Sequence, residues 1–167
     1  LIDWVDMETL IRRDGTCLTE ASIRISNKSL QFLPIQLPKG ADLLSLNVAG
    51  EASGANSTVR DGEAILLVPL IKTAPGQLSF VIEVVYERTL NGPLDSMNSL
   101  AFEGLKILDI PTAQTLWTFY VPDDYEPYWL TGNMEETTQT LREYSKLTSL
   151  EEERQQLRTL IVGDYDL

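Results

Sequence analysis

Before residue 122, apolar and polar residues alternate with a period of two along much of the chain, the spacing that places one side of a strand in a core and the other in water. Cys17, Thr19, Ala21, Ile23 and Ile25 share one face, while Leu18, Glu20, Ser22, Arg24 and Ser26 share the other. The clearest alternation sets Leu78, Phe80, Ile82, Val84 and Tyr86 against Ser79, Val81, Glu83, Val85 and Glu87. Leu33, Ile35 and Leu37 make a third face, Pro38-Lys39-Gly40 turns the chain, and Leu44, Leu46 and Val48 supply a further inward set before Gly50. Asp14-Gly15 lies between two strand-like runs and marks a hairpin, since this dipeptide tolerates the positive φ angles of tight turns. Residues 50–62 are small and polar; "EAILLVPL", "LKILDIP" and "TLWTFYVP" are apolar runs, the last two closed by proline. Pro34 has no N–H for a ladder, which confines its strand to a sheet edge or a bulge.

This pattern predicts about seven or eight strands joined by short turns, with no helix-period segment among them. The fold class expected is mainly β: an antiparallel β-sandwich, Ig-like or jelly-roll-like. A barrel is the alternative, disfavoured by uneven strand lengths and by strands that end in proline. After Trp129 the character changes. "TGNMEETTQTLREYSKLTSLEEERQQLRTLIVG" has helical composition, with Asn133 and Glu136 spaced as a capping pair, Ser149 and Glu152 as a second, and Gly163 as a stop. The division expected is a β-sandwich over residues 1–130 and a C-terminal helical segment of one or two helices over 131–167. Leu147, Leu150, Leu157 and Ile161 form an apolar seam too short for a coiled coil, suited to docking on the sandwich or on a neighbouring domain, with dimerisation as the alternative.

Charge and composition narrow the chemistry. The 167-residue chain carries 25 acidic and 13 basic side chains for a net charge of −12, a surface that repels phosphate backbones and anionic headgroups. Nucleic acid is therefore excluded as an expected partner. With no histidine, Ser-His-Asp and Cys-His catalysis are excluded, and the commonest metal ligand is missing. A lone cysteine, Cys17, sits in a strand-like run as a small buried hydrophobe. No run of 18 apolar residues exists, so no membrane insertion is expected of this segment. The sequence opens on Leu1, which is the expectation for an excerpt or processed product of a longer chain.

The ordered set Asn27, Gln31-Phe32-Leu33, Leu37-Pro38-Lys39-Gly40-Ala41, Asn47-Val48-Ala49-Gly50, Val68-Pro69-Leu70 and Val84-Val85-Tyr86 resembles a β-sandwich module of large bacterial cell-envelope proteins. The resemblance covers roughly residues 16–121. It implies an extracytoplasmic setting, periplasm or cell surface, and a structural or binding role, with other domains of the same polypeptide or protein partners as the expected contacts. It supplies no catalytic residue.

The richest candidate site is "WTFYVPDDYEPYW", residues 117–129, where aromatic rings crowd beside carboxylates. Tyr and Trp faces stack on sugar rings and carboxylates accept from hydroxyls, so Tyr120, Asp123, Asp124, Tyr125, Glu126, Tyr128 and Trp129 are candidate ligand-binding residues, with a glycan as candidate ligand. Strand phase puts Trp117, Phe119 and Val121 on one side, which assigns Trp117 to the core and makes a packed junction the competing role of this stretch. Asp123, Asp124 and Glu126 lack calcium-loop spacing, as do Asp164 and Asp166, and no cofactor or metal is expected. Glu83 and Glu87 share a strand face, the raw material of a carboxylate-pair glycosidase, but that spacing serves equally to face water, and no enzyme is expected. Asn27-Lys28-Ser29 and Asn56-Ser57-Thr58 match the N-glycosylation pattern, of consequence only in a eukaryotic host.

Overall fold

The computed structural model describes residues 1–72, 79–94, 100–125 and 131–137. Among them the protein is mainly β, with ten strands and no helix: β1 (Ile2–Ile11), β2 (Thr16–Ile25), β3 (Phe32–Gln36), β4 (Ala41–Val48), β5 (Glu51–Ala52), β6 (Asn56–Arg60), β7 (Glu63–Pro69), β8 (Phe80–Thr89), β9 (Lys106–Ile107) and β10 (Thr115–Tyr120). They form two sheets, one ordered β10-β1-β2-β8-β4-β5 and the other β6-β7-β3-β9. Leu1–Ala74 and Ser79–Glu126 make one compact unit. The expected helical seam of Leu147, Leu150, Leu157 and Ile161, and the capping pair Ser149 and Glu152, lie outside the described residues. Residues 131–137, which belong to the second unit, carry no helical turn, so no helix starts at Asn133.

The alternation in β2 and β8 translates directly into burial. Cys17, Thr19, Ala21, Ile23 and Ile25 are all buried, as are Phe80, Ile82, Val84 and Tyr86, and the two strands lie side by side with Ala21 opposite Val84 and Ile23 opposite Ile82. A single hydrophobic cluster joins Ala21, Ile23 and Ile25 of β2 and Phe80, Ile82, Val84 and Tyr86 of β8 to Leu33, Ile35 and Val68 of the smaller sheet and to Leu105. Both sheets therefore turn one face to the same core. Burying each of these aliphatic side chains contributes about 1.5–3 kcal/mol relative to leaving it in water.

Three expectations are corrected. Leu44 is 55% exposed, not inward, because β4 pairs with β8 through a register shift between Leu43 and Ser45. The extra residue of that irregularity is Leu44 itself; it leaves Leu43 and Ala41 facing the core on one side of the break and Leu46 and Val48 on the other. The sheets are not wholly antiparallel: β1 and β10 run parallel, with Val5 to Leu10 in register with Thr115 to Tyr120. The third correction concerns Pro34. Its strand has neighbours on both sides, β7 and β9. The proline is accommodated because its carbonyl, which accepts from the Leu108 amide at 3.0 Å, faces the two-residue strand β9. In an extended chain N and C=O point the same way, so the missing donor falls on the short side and the longer β7 ladder is spared.

Asn27 forms the corner where the chain leaves β2 for the smaller sheet. It is 1% exposed; its Nδ2 donates to the carbonyls of Leu30 and Ile71, both at 2.9 Å, and its Oδ1 accepts from the amides of Leu30 at 2.9 Å and Ser29 at 3.3 Å. An apolar residue here would strand these buried backbone groups.

Candidate functional site

β10 supplies the first half of the aromatic stretch, and its alternation sorts the rings. Trp117 packs against the core, and its Nε1 donates to the Thr9 hydroxyl at 2.9 Å. Thr9 in turn lies 2.8 Å from the Thr19 hydroxyl across the β1–β2 pair. This row of polar atoms crosses the inner side of the larger sheet and ends at Tyr86, paired with Thr19 in register. The Tyr86 hydroxyl is buried beside Thr19 and the Leu105 backbone without a hydrogen bond of good geometry, and burial pushes its pKa above the usual 10.0. Phe119 shares the Trp117 side, its ring centroid 4.6 Å from Trp117 and 4.9 Å from Phe102. The expectation of a core role for Trp117 is met.

Tyr120 takes the opposite side of β10. It is 46% exposed, and its hydroxyl donates to a Glu8 carboxylate oxygen at 3.2 Å. Past Val121 the chain makes a turn in which the Tyr125 amide donates to the Pro122 carbonyl at 2.9 Å. That turn is fastened to two other loops. The Tyr125 hydroxyl donates to the Leu94 carbonyl at 2.9 Å, and Arg13 reaches Asp124 at 2.8 Å. The Leu94 amide donates to the Arg13 carbonyl at 3.0 Å, closing a ring of contacts among the β1–β2 hairpin, the strand-β8 exit and the Pro122 turn. Asp123 is exposed. Glu126, Tyr128 and Trp129 lie outside the described residues.

Three of the four described candidates thus have separate partners, Tyr120 with Glu8, Asp124 with Arg13 and Tyr125 with Leu94, while Asp123 lies exposed. Sequence gave no signal for Arg13 or Leu94, because the Arg13–Asp124 contact spans 111 residues of chain. The hairpin beside them did announce itself. Gly15 has φ of +86°, and the Asp14 carboxylate accepts from the Thr16 amide at 2.9 Å, which holds its pKa below the usual range.

Glu83 and Glu87 lie half-buried on the outer side of β8, and Glu83 accepts from the Asn47 amide nitrogen at 3.0 Å. Cys17 is buried, its pKa raised by desolvation, and its thiol points at the Gly15 carbonyl. Among the described residues no three His, Cys, Asp or Glu side chains gather as a metal site, and no helix is long and apolar enough to cross a membrane. The two glycosylation patterns differ sharply: the Asn27 amide is buried and engaged, whereas Asn56 is exposed on β6.

Neither a family model nor a curated protein matches this chain. Among solved structures it is similar to an M1 zinc metallopeptidase from Deinococcus radiodurans, at 13% identity over 53% of this chain and 20% of that one, with a TM-score of 0.39. It is also similar to native leukotriene A4 hydrolase from Saccharomyces cerevisiae, at 11% identity over 54% of this chain and 15% of that one, with a TM-score of 0.43. The chain spans a fifth or less of the length of these structures, and the activities in their names belong to those proteins.

Proposed function

We propose that the protein is a non-catalytic β-sandwich module of a larger exported or envelope-anchored bacterial protein, used for spacing and for contacts with protein partners. The observation that supports this reading best is the ring of contacts among the Arg13 hairpin, Leu94 and the Pro122 turn: Asp124 and Tyr125, read as ligand groups, bind other parts of the same chain. Polar side chains spent on tying loops together make a stiff end to a sandwich, the property a spacer needs. The test is location and inertness together. A tagged parent gene followed by cell fractionation should place the protein in the periplasm or at the surface. Recovery from the cytosol would end the envelope reading, and turnover of a chromogenic glycoside that disappears in Glu83→Gln or Glu87→Gln would end the non-catalytic one.

The Tyr120–Glu8 pair favours a second reading, carbohydrate binding. A half-exposed phenol ring with a carboxylate at its tip is the combination that stacks on a pyranose and accepts from its hydroxyls. Titration with a glycan panel read by tryptophan fluorescence separates the two: a saturable shift lost in Tyr120→Ala supports the sugar reading, and a flat response across the panel removes it.

A further inference from the structure

The two sheets end in four edge strands, and three of them are restrained in ways natural proteins use against stray pairing. β5 and β9 are two residues long, too short to template a partner, and the part of β4 that β5 leaves uncovered is broken by the register shift at Leu44. β10 is longer, but Leu116, Trp117 and Thr118 are half-buried. β6 has none of these protections. All five of its residues are exposed, Val59 by 72%. Among the described residues its one neighbour is β7, and the ladder between them runs from Asn56–Leu67 to Arg60–Glu63 without a bulge. "NSTVR" holds no proline and no lysine.

Geometry fixes which backbone groups this edge offers. Asp61 and Gly62 have φ of +55° and +84°, the two-residue turn whose closing pair, here Arg60 and Glu63, is hydrogen-bonded. Counting back by two, Arg60, Thr58 and Asn56 turn their N–H and C=O toward β7. Ser57 and Val59 turn theirs outward, so the edge presents two donors and two acceptors in a row.

We infer that β6 is a self-pairing edge: a second copy of this chain adds its own β6 antiparallel about a two-fold axis through Thr58. In that register Ser57 of each copy faces Val59 of the other, and their outward groups exchange four hydrogen bonds. Thr58 meets Thr58, a favourable cross-strand pair, and Arg60 meets Asn56. No acidic group lies in the seam. Its one cation, Arg60, is already compensated within its own copy by Asp109 at 2.6 Å. On a chain of net charge −12, this strip without an acidic side chain lets two copies approach with no like charges directly opposed. The product is an eight-stranded sheet running through both protomers.

Sedimentation velocity on the full chain tests it. The wild type should show a concentration-dependent dimer that strengthens as salt screens the net acidity of each copy. Val59→Pro removes an outward donor without touching the β7 ladder, and Val59→Lys adds a charge to the seam; each should cost at least tenfold in association. Under mild oxidation Thr58→Cys, on the axis, should form a disulfide-linked dimer at least tenfold faster than Ser29→Cys on an exposed loop. A wild type monomeric at every concentration overturns the inference. So does a dimer that survives both Val59 variants or weakens with added salt, and so does Thr58→Cys crosslinking no faster than the loop control. Assembly of a larger parent protein that depends on Val59 while this chain alone stays monomeric assigns the edge to a different strand donor and overturns the second-copy partner.

Discussion

Two hairpins in this protein turn on Asp-Gly, and they behave differently. Asp14-Gly15 joins β1 to β2 in the larger sheet through a loop in which Gly15 alone has positive φ, and the Gly15 amide donates to the Arg12 carbonyl at 3.0 Å. Asp61-Gly62 joins β6 to β7 with both residues at positive φ. A Cβ on Gly15 would lie 2.2 Å from the Gly92 carbonyl oxygen, whereas one on Gly62 meets nothing within 4 Å. The same dipeptide is roofed by another loop in one sheet and open to water in the other. The contrast extends along the strands. The larger sheet carries its load in long central ladders with one dry face; the smaller one has short strands and ends in β6, which has no buried residue at all. Turn chemistry is local, and the cost of altering it is set by what the rest of the fold lays on top.

The largest effect is expected for Ile82→Ala, which empties a fully buried position at the centre of β8 and should lower unfolding free energy by about 4 kcal/mol. Val59→Ala in β6 should change it by less than about 0.5 kcal/mol; comparable urea midpoints for the two would refute the division. Gly15→Ala combines a left-handed backbone with a clash against backbone oxygen and should cost about 3 kcal/mol. Gly62→Ala carries only the backbone penalty, about 1 kcal/mol, and an equal pair of losses in chemical denaturation would show that the roof over Gly15 is irrelevant. Asn27→Ala, at the corner serving both sheets, should cost about 2 kcal/mol through stranded carbonyls and amides. The check is whether the variant stays cooperative, because a biphasic melt would mean that the sheets unfold separately.

Tyr86→Phe, like Val59→Ala, is expected to change stability little. It deletes a buried hydroxyl without a good partner, so stability near neutral pH should hold within about 0.5 kcal/mol. Its signature is at high pH. A folded pKa raised above 10.0 means that the unfolded chain loses this proton first, so the wild type's stability is intact below about pH 10 and declines as pH rises toward the folded value. Thermal melts between pH 8 and pH 11 should therefore fall less steeply for the variant; identical slopes would contradict the burial of this phenol.

What could be read in advance follows the same division. β2 and β8 were legible because one dry face forces strict alternation, and a one-residue slip would turn every side chain over. β6 was not, since a strand without a buried face has no period to display; its signal was Asp61-Gly62, a turn marker as plain as Asp14-Gly15. Leu44 misled because a bulge shifts phase without altering composition. At the candidate site, the core role of Trp117 followed from strand phase, but the engagement of Asp124 and Tyr125 depends on Arg13 and Leu94, brought near by tertiary folding that no local pattern encodes.

The parallel pairing of β1 with β10 has a mechanical consequence. Tension applied between Leu1 and Tyr120 pulls these neighbours along their length in opposite senses. Their six registered pairs, Val5–Thr115 through Leu10–Tyr120, then have to slip as one instead of peeling apart singly. A link loaded in shear yields late, and a molecule so tethered would hold its length under a pull that would unzip a hairpin.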